Sequence, residues 1–287
     1  MSAAISPSIF AARKSLSRAM SSLAHGHILQ GTAWNYRILN PVLPRERVQG
    51  LAKAPQWAII KVASPGDAIA MENMNRERQT YRLSAVASAT CFRKMYDVID
   101  DSTIALEWMD TTLAGVKYKP DMRTHSLIVA VIKAALGSCI ALERHKCVNT
   151  DYKPANILLS DIETDHITAK VADLGLVVPS GALVKAQPYA MRAPEIKPGA
   201  LGAWDCPHSL LNEAWSMAKI KRLFPDWEIP HADDVEGDVL KAAKMEMPQQ
   251  VKDILRLMFV ADPSERPPAA SVLASREFRE LEELIGV

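Results

Sequence analysis

The longest apolar run in the chain, Leu127 to Leu142, sets the first constraint. A segment of that character leaves water, entering either a bilayer or a protein core. Lys133 interrupts it, and Gly137 and Ser138 sit inside it. The run falls short of the ~18 uninterrupted apolar residues a membrane span requires, so it predicts a buried helix and no transmembrane segment. A chain of 287 residues can build one large domain or two lobes sharing a cleft around such a helix. A hydrophobic fraction of 48% with 23% charged residues excludes wholesale disorder. Lys plus Arg total 34 against 33 Asp plus Glu, a net charge of +1, which excludes nucleic-acid binding built on a basic footprint. Cys91, Cys139, Cys147 and Cys206 are scattered without a Cys-x-x-Cys pair. That argues against a zinc site or disulfide framework and for reduced thiols in an intracellular protein.

The N-terminus differs from the rest. Glu46 is the first acidic residue, while Arg13, Lys14, Arg18, Arg37 and Arg45 precede it and seven serines fall within the first 22 residues. As a helix over 8–24, Ile9, Leu16, Met20 and Leu23 share one face, and Lys14 and Arg18 point away from it. Residues 1–26 read either as an organelle transit peptide or as a loosely docked tail. The compartment is accordingly cytoplasmic or mitochondrial, and no apolar core follows the first charges to make a secretory signal.

Beyond the tail, Trp34–Leu39 and Gln56–Val62 read as strands, with Pro41, Pro44 and Gly50 as punctuation between them. Met71, Met74, Arg78 and Tyr81 recur at helical steps within 67–85. Met95–Ile99 and Thr103–Trp108 read as two strands joined at Asp100-Asp101-Ser102, and helices follow from Met122 and again over 249–284. Strands with one helix, then mostly helices, predict an α+β chain of two unlike lobes with a boundary near 109–120.

The chemistry concentrates in Thr150-Asp151-Tyr152-Lys153-Pro154-Ala155-Asn156, directly before the apolar Ile157-Leu158-Leu159. A carboxylate can take a proton from an attacking hydroxyl, an ammonium two residues on can reach a transferring phosphoryl group, and a carboxamide oxygen can hold Mg²⁺. Phosphoryl transfer needs that set, because positioning and charge neutralisation do most of the work. Seventeen residues after Asn156 comes Asp173-Leu174-Gly175, a carboxylate able to bind Mg²⁺ followed by a permissive glycine. Ala193-Pro194-Glu195 begins a further 20 residues on.

In this order and spacing the chain resembles the eukaryotic-type protein kinases over about residues 27 to 280. Asp151 falls on the family's catalytic Asp, Lys153 on its companion lysine and Asn156 on its metal-binding Asn. Asp173-Leu174-Gly175 is similar to Asp-Phe-Gly, and Ala193-Pro194-Glu195 matches Ala-Pro-Glu. Ala58-Ile59-Ile60-Lys61 is similar to Val-Ala-Ile-Lys, which makes Lys61 the phosphate-contacting lysine on the third strand, paired with Glu77. Glu107 and Met109 resemble the hinge whose backbone bonds adenine. Asp262-Pro263-Ser264-Glu265-Arg266-Pro267 resembles the late segment whose arginine pairs with Glu195, and Glu213–Ala218 is a worn form of another family segment.

The resemblance implies a two-lobed protein-kinase-like fold. Residues 27–108 would form a small nucleotide-binding lobe with an antiparallel sheet and one helix, and 109–287 a larger, mainly helical catalytic lobe. It implies ATP and Mg²⁺ as cofactors, with Asn156 and Asp173 as metal ligands, and a protein Ser/Thr hydroxyl as acceptor. Two features depart from the family. The glycine-rich loop would fall on Gly31, Ala33 and Tyr36, keeping one glycine of three. Asn149-Thr150 replaces the His-Arg pair before the catalytic Asp, and Ser180 is the one Ser or Thr between Asp173 and Glu195. The glycine-loop departure implies weaker or differently shaped nucleotide binding. The missing Arg, which in the family receives a loop phosphate, and a segment whose hydroxyls are Ser180 and Tyr189 favour activity independent of phosphorylation there. The poor glycine loop and Asn149-Thr150 also keep a second reading open, a pseudokinase acting as a binding or scaffold module. A small-molecule kinase of related fold is a third.

Overall fold

The computed structural model describes residues 25–42, 45–50, 56–116, 122–164, 166–182, 248–260, 262 and 264–286. The amphipathic N-terminal segment up to residue 24, Glu195 with its Ala-Pro-Glu motif, and Glu213–Ala218 lie outside them. The fold is mixed α+β with small antiparallel sheets. The chain divides into two compact units, one running to Asp110 and including Asp173–Val177, the other Thr111–Ala172 with Val178 onward.

The first unit is built on a six-stranded antiparallel sheet: β1 (Ile28–Gln30), β2 (Asn35–Val42), β3 (Arg45–Gly50), β4 (Trp57–Val62), β5 (Met95–Val98) and β6 (Thr103–Glu107), in the order β1-β2-β3-β4-β6-β5. Period-two alternation sends Tyr36 and Ile38 of β2, and Ala58 and Ile60 of β4, into one core with Ala105. β1 and β3 were not expected. Arg45-Glu46-Arg47 carries no strand signature, and Pro41 lies inside β2, where it pairs with Glu46 beyond a register shift at Ile38/Asn40. Lys61 therefore sits on the fourth strand, opposite Ile104 of β6, and not on the third.

One helix, α1 (Ala68–Tyr81), starts at Asp67, whose side chain caps the N–H groups of Ile69 and Ala70. Its buried face is Met74, Glu77, Thr80 and Tyr81. The expected stripe put Arg78 there. Arg78 instead reaches Asp101 at 3.1 Å, and a carboxylate occupies the apolar face. A short α2 (Ser84–Ser88) follows.

The second unit has the long apolar run at its centre, as α3 (Met122–Glu143). By length and composition Arg123–Glu143 could cross a membrane, with mean hydropathy 1.9 over its best window. Its packing is that of a core helix: from Thr124 to Leu142, Lys133 alone is exposed. Val129, Ile132 and Leu136 meet Val251 and Ile254 of α4 (Gln249–Met258), Val272 of α5 (Ala269–Leu273) and Phe278 and Leu281 of α6 (Arg276–Leu284). Lys133 pairs with Glu282 at 2.6 Å and lies 6.0 Å from the Phe278 ring centre. Three further strands, β7 (Thr111–Thr112), β9 (Ile157–Ser160) and β10 (Thr168–Val171), form a sheet in the order β10-β9-β7, after β8 (Cys147–Asn149). Ile157, Leu158 and Leu159 are all buried, which is why that run reads as continuous rather than alternating.

Candidate functional site

Two polar clusters stand out, one in each unit. In the first, Lys61 Nζ lies 2.5 Å from Glu77 Oε2 and 2.7 Å from Asp173 Oδ1. The three residues come from β4, the buried face of α1 and the turn after β10. Their side chains are 26%, 1% and 31% exposed, so Glu77 is the sealed end and Lys61 and Asp173 the accessible one. Burial pulls the Lys61 amine down, but the Glu77 and Asp173 carboxylates outweigh it and hold the amine above its ordinary range. Burial likewise pushes the Glu77 carboxyl up against the pull of Lys61. Its Oε1 is buried without a hydrogen bond of its own, although the Leu174 N–H faces the carboxylate.

Asp173 is placed by backbone conformation. It adopts φ 59, ψ 71, a left-handed geometry that costs any non-glycine residue but costs Asp less than most. The Leu174–Leu176 turn that follows packs on α1. A Cβ on Gly175 would lie 3.1 Å from Asn73 O, and Arg76 Nη1 donates to Gly175 O at 2.8 Å. Gly175 is thus needed for close approach, not for an unusual φ. Arg76 had no sequence signal beyond being one of several helix charges.

In the second cluster Asp151 is the hub and is 7% exposed. Lys153 Nζ donates to both of its carboxylate oxygens, at 2.9 and 2.7 Å. Asn156 Nδ2 donates to Asp151 O at 2.9 Å and to Oδ2 at 2.8 Å. With both N–H groups spent there, Asn156 presents its carboxamide oxygen as an acceptor. The 3-10 turn Pro154–Asn156 brings the side chains together, and Ala172 N donates to Asn156 O at 2.9 Å. Asn149 Oδ1 accepts from Asp151 N at 3.0 Å, while its Nδ2 is buried without a partner. Asn149 therefore supports the loop where the sequence reading saw only a missing histidine. An Asx residue two positions before the functional one is a recognisable signal for such a bond. Tyr152, between the two charged residues, is tied to α3. Its hydroxyl lies 2.5 Å from Ser138 Oγ, and Ser138 donates onward to Ala135 O.

The remaining expected residues lie elsewhere or are differently engaged. Gly31 does not open a phosphate loop. The Thr32, Ala33 and Trp34 N–H groups and the Thr32 hydroxyl all donate to Asp97 of β5, and a Cβ on Gly31 would collide with that carboxylate. The expected phosphate donors are spent on an internal anion. The hairpin adjacent to the lysine strand is β2–β3, whose two-residue connection lies outside the described residues. At the expected hinge position, Glu107 N donates to Lys94 O at 2.9 Å and Glu107 O accepts from Arg93 Nε at 2.6 Å, so both backbone groups are already engaged. Met109 is buried. Arg266 donates to Val260 O, and its expected partner Glu195 lies outside the described residues.

Among the described residues no group of three His, Cys, Asp or Glu could cage a metal ion. Mg²⁺ needs no such cage when substrate phosphates complete its shell, because one or two protein oxygens suffice. Taken separately, the Asp173 carboxylate of the first unit and the Asn156 carboxamide oxygen of the second each offer an oxygen of that donor type. No family model and no curated protein matches the chain.

Proposed function

We propose that the chain is a Mg²⁺-assisted, ATP-dependent kinase of the eukaryotic protein-kinase type, with that family's two-lobed fold, which phosphorylates Ser or Thr hydroxyls of a protein. The observation that carries the reading is the Lys61–Glu77–Asp173 contact, made by residues up to 112 positions apart. An ammonium held between two carboxylates of different elements, one sealed and one reachable, is fixed in direction and ready to meet an anion. The Asp151–Lys153–Asn156 cluster supplies the complementary chemistry in a six-residue stretch.

In this reading Lys61, fixed by Glu77, holds the α- and β-phosphates. Asp151 orients the acceptor hydroxyl and takes its proton, and Lys153 neutralises charge on the moving phosphoryl group. Asn156 and Asp173 hold Mg²⁺, which when bound offsets the negative charge of the phosphates. Asp151→Ala should abolish phosphotransfer from radiolabelled ATP while leaving Mg-ATP binding largely intact, since the carboxylate acts on the hydroxyl and not on the nucleotide. Wild-type turnover in that variant refutes the assignment. The Gly31 turn closed on Asp97 and the engaged Glu107 backbone favour a second reading, a pseudokinase binding module. Nucleotide binding by the purified protein without any phosphotransfer would select it.

A further inference from the structure

The first unit holds a cavity of about 220 Å³ that the phosphoryl-transfer reading does not use. Tyr81 at the end of α1, Val86 and Ala87 of α2, Phe92 to Tyr96 leading into β5, and Trp34 line it. Trp34 and Tyr96 meet edge to face across the wall, ring centres 6.2 Å apart and planes at 87°. An apolar cavity of ~150 Å³ accommodates benzene, so this one has room for a single ring with a short substituent. Two cations, Arg93 and Lys94, belong to the lining, and no carboxylate does. The neighbouring carboxylates are turned onto backbone N–H groups: Glu107 accepts from Lys94 N at 2.9 Å, and Asp97 accepts from the turn at Thr32–Trp34. Lys94 itself is exposed and makes no ion pair among the described residues. Aromatic walls take a ring by edge-to-face contact and apolar burial, and an ammonium at the rim adds a charge-assisted bond to an anion.

We infer that this cavity is a binding site for a small single-ring aromatic carboxylate, with the ring against Trp34, Phe92 and Tyr96 and the carboxylate toward Lys94. The site is independent of any phosphoryl-transfer activity, and its test is a binding measurement. Benzoate titrated into the full chain, followed by ligand-detected NMR, should show saturable binding with a dissociation constant of about 1 mM, the range open to a ligand this small. Benzamide, isosteric but neutral, should bind about fivefold more weakly, and Lys94→Gln should weaken benzoate by a similar factor without changing benzamide. Ala87→Trp, at an exposed position on α2, should block both probes, with an unchanged circular dichroism spectrum showing that the fold survives. Equal binding of benzoate and benzamide, binding that survives Ala87→Trp, or no saturable binding at all overturns the proposal. So does tighter binding of N-acetyl-phenylalaninamide, which would mark a socket for a peptide side chain.

Discussion

Lys61→Met should destabilise the protein by an amount that grows with pH. Methionine keeps the apolar stem and deletes the charge 2.5 Å from a Glu77 side chain that is 1% exposed. The stranded carboxylate then either stays charged without a partner or takes up a proton. Proton uptake sets the ceiling. Holding neutral at pH 7 a carboxyl whose ordinary value is 4.5 costs about 1.4 × (7 − 4.5), or about 3.5 kcal/mol. The ceiling drops by about 1.4 kcal/mol per pH unit, to about 2 kcal/mol near pH 6 and below about 1 kcal/mol near pH 5. The sign follows from linkage. Burial already raises the folded-state value of Glu77 above the unfolded one, and losing the ammonium raises it further. A raised carboxyl loses its contribution as pH climbs through the folded-state value, so the variant weakens relative to wild type on the alkaline side. Urea unfolding of both proteins across this pH range, followed by circular dichroism, measures the difference. A gap that does not change with pH refutes the reasoning, because it would mean that Lys61 does not hold the Glu77 charge. The double variant Lys61→Met/Glu77→Gln should recover most of the loss, and one as unstable as the single variant refutes it equally.

Other perturbations follow from the same contacts. Burial alone would raise Asp97, but the Thr32 hydroxyl and the three N–H groups of the turn outweigh it and hold it below its ordinary value of 3.8. Its stabilisation is therefore present above that value and lost as pH falls through the folded-state one. Asp97→Asn should cost about 1–3 kcal/mol at neutral pH, with the gap from wild type closing in acid as the wild-type carboxyl takes up its proton; thermal melts at both pH values check this. Gly175→Ala should cost about 1–2 kcal/mol, because the new methyl meets Asn73 backbone at the 3.1 Å contact and α1 must shift; urea unfolding reads it, and a neutral result shows that the turn yields freely. On the proposed kinase reading, phosphatase treatment should leave phosphotransfer unchanged, since Asn149-Thr150 lacks the phosphate-receiving Arg of the resembled family and Ser180 and Tyr189 are the hydroxyls between Asp173 and Glu195; a loss of activity would refute this.

Much of the fold was legible where hydrophobic period and turn chemistry agreed. Gln56–Val62, Met95–Ile99 and Thr103–Trp108 became β4, β5 and β6 within a residue or two at each end, and the 127–142 run became the middle of α3. β3 was not legible, because its charged residues are set in a strand by pairing with β2 and β4, a non-local cause that a local pattern does not carry. The burial of Glu77 was hidden for a related reason. Methionine and tyrosine spacing marked the helix but left its rotation open by one position; the helix buries Glu77, which meets Lys61 of β4, while Arg78 reaches Asp101.

The same limit explains why the polar clusters and the glycine loop came out differently. Asp151, Lys153 and Asn156 lie within six residues, so a single tight turn brings them together and spacing alone announces it. Lys61, Glu77 and Asp173 are remote in sequence, and only the resemblance to a family suggested their association; in the first unit Lys61 Nζ hydrogen-bonds both carboxylates. Gly31 had neither support. Its placement rested on a pattern that keeps one glycine of three, and the unforeseen β3 makes β2–β3 the hairpin adjacent to the lysine strand. The local chemistry still carried a true signal: Gly31-Thr32-Ala33-Trp34 is a turn whose successive N–H groups converge on an anion. Residue types can announce that a backbone turn will hold negative charge. Which charge it holds, a ligand's phosphate or the carboxylate of Asp97, is decided by what the rest of the sheet brings within 3 Å or so, and here β5 brings Asp97.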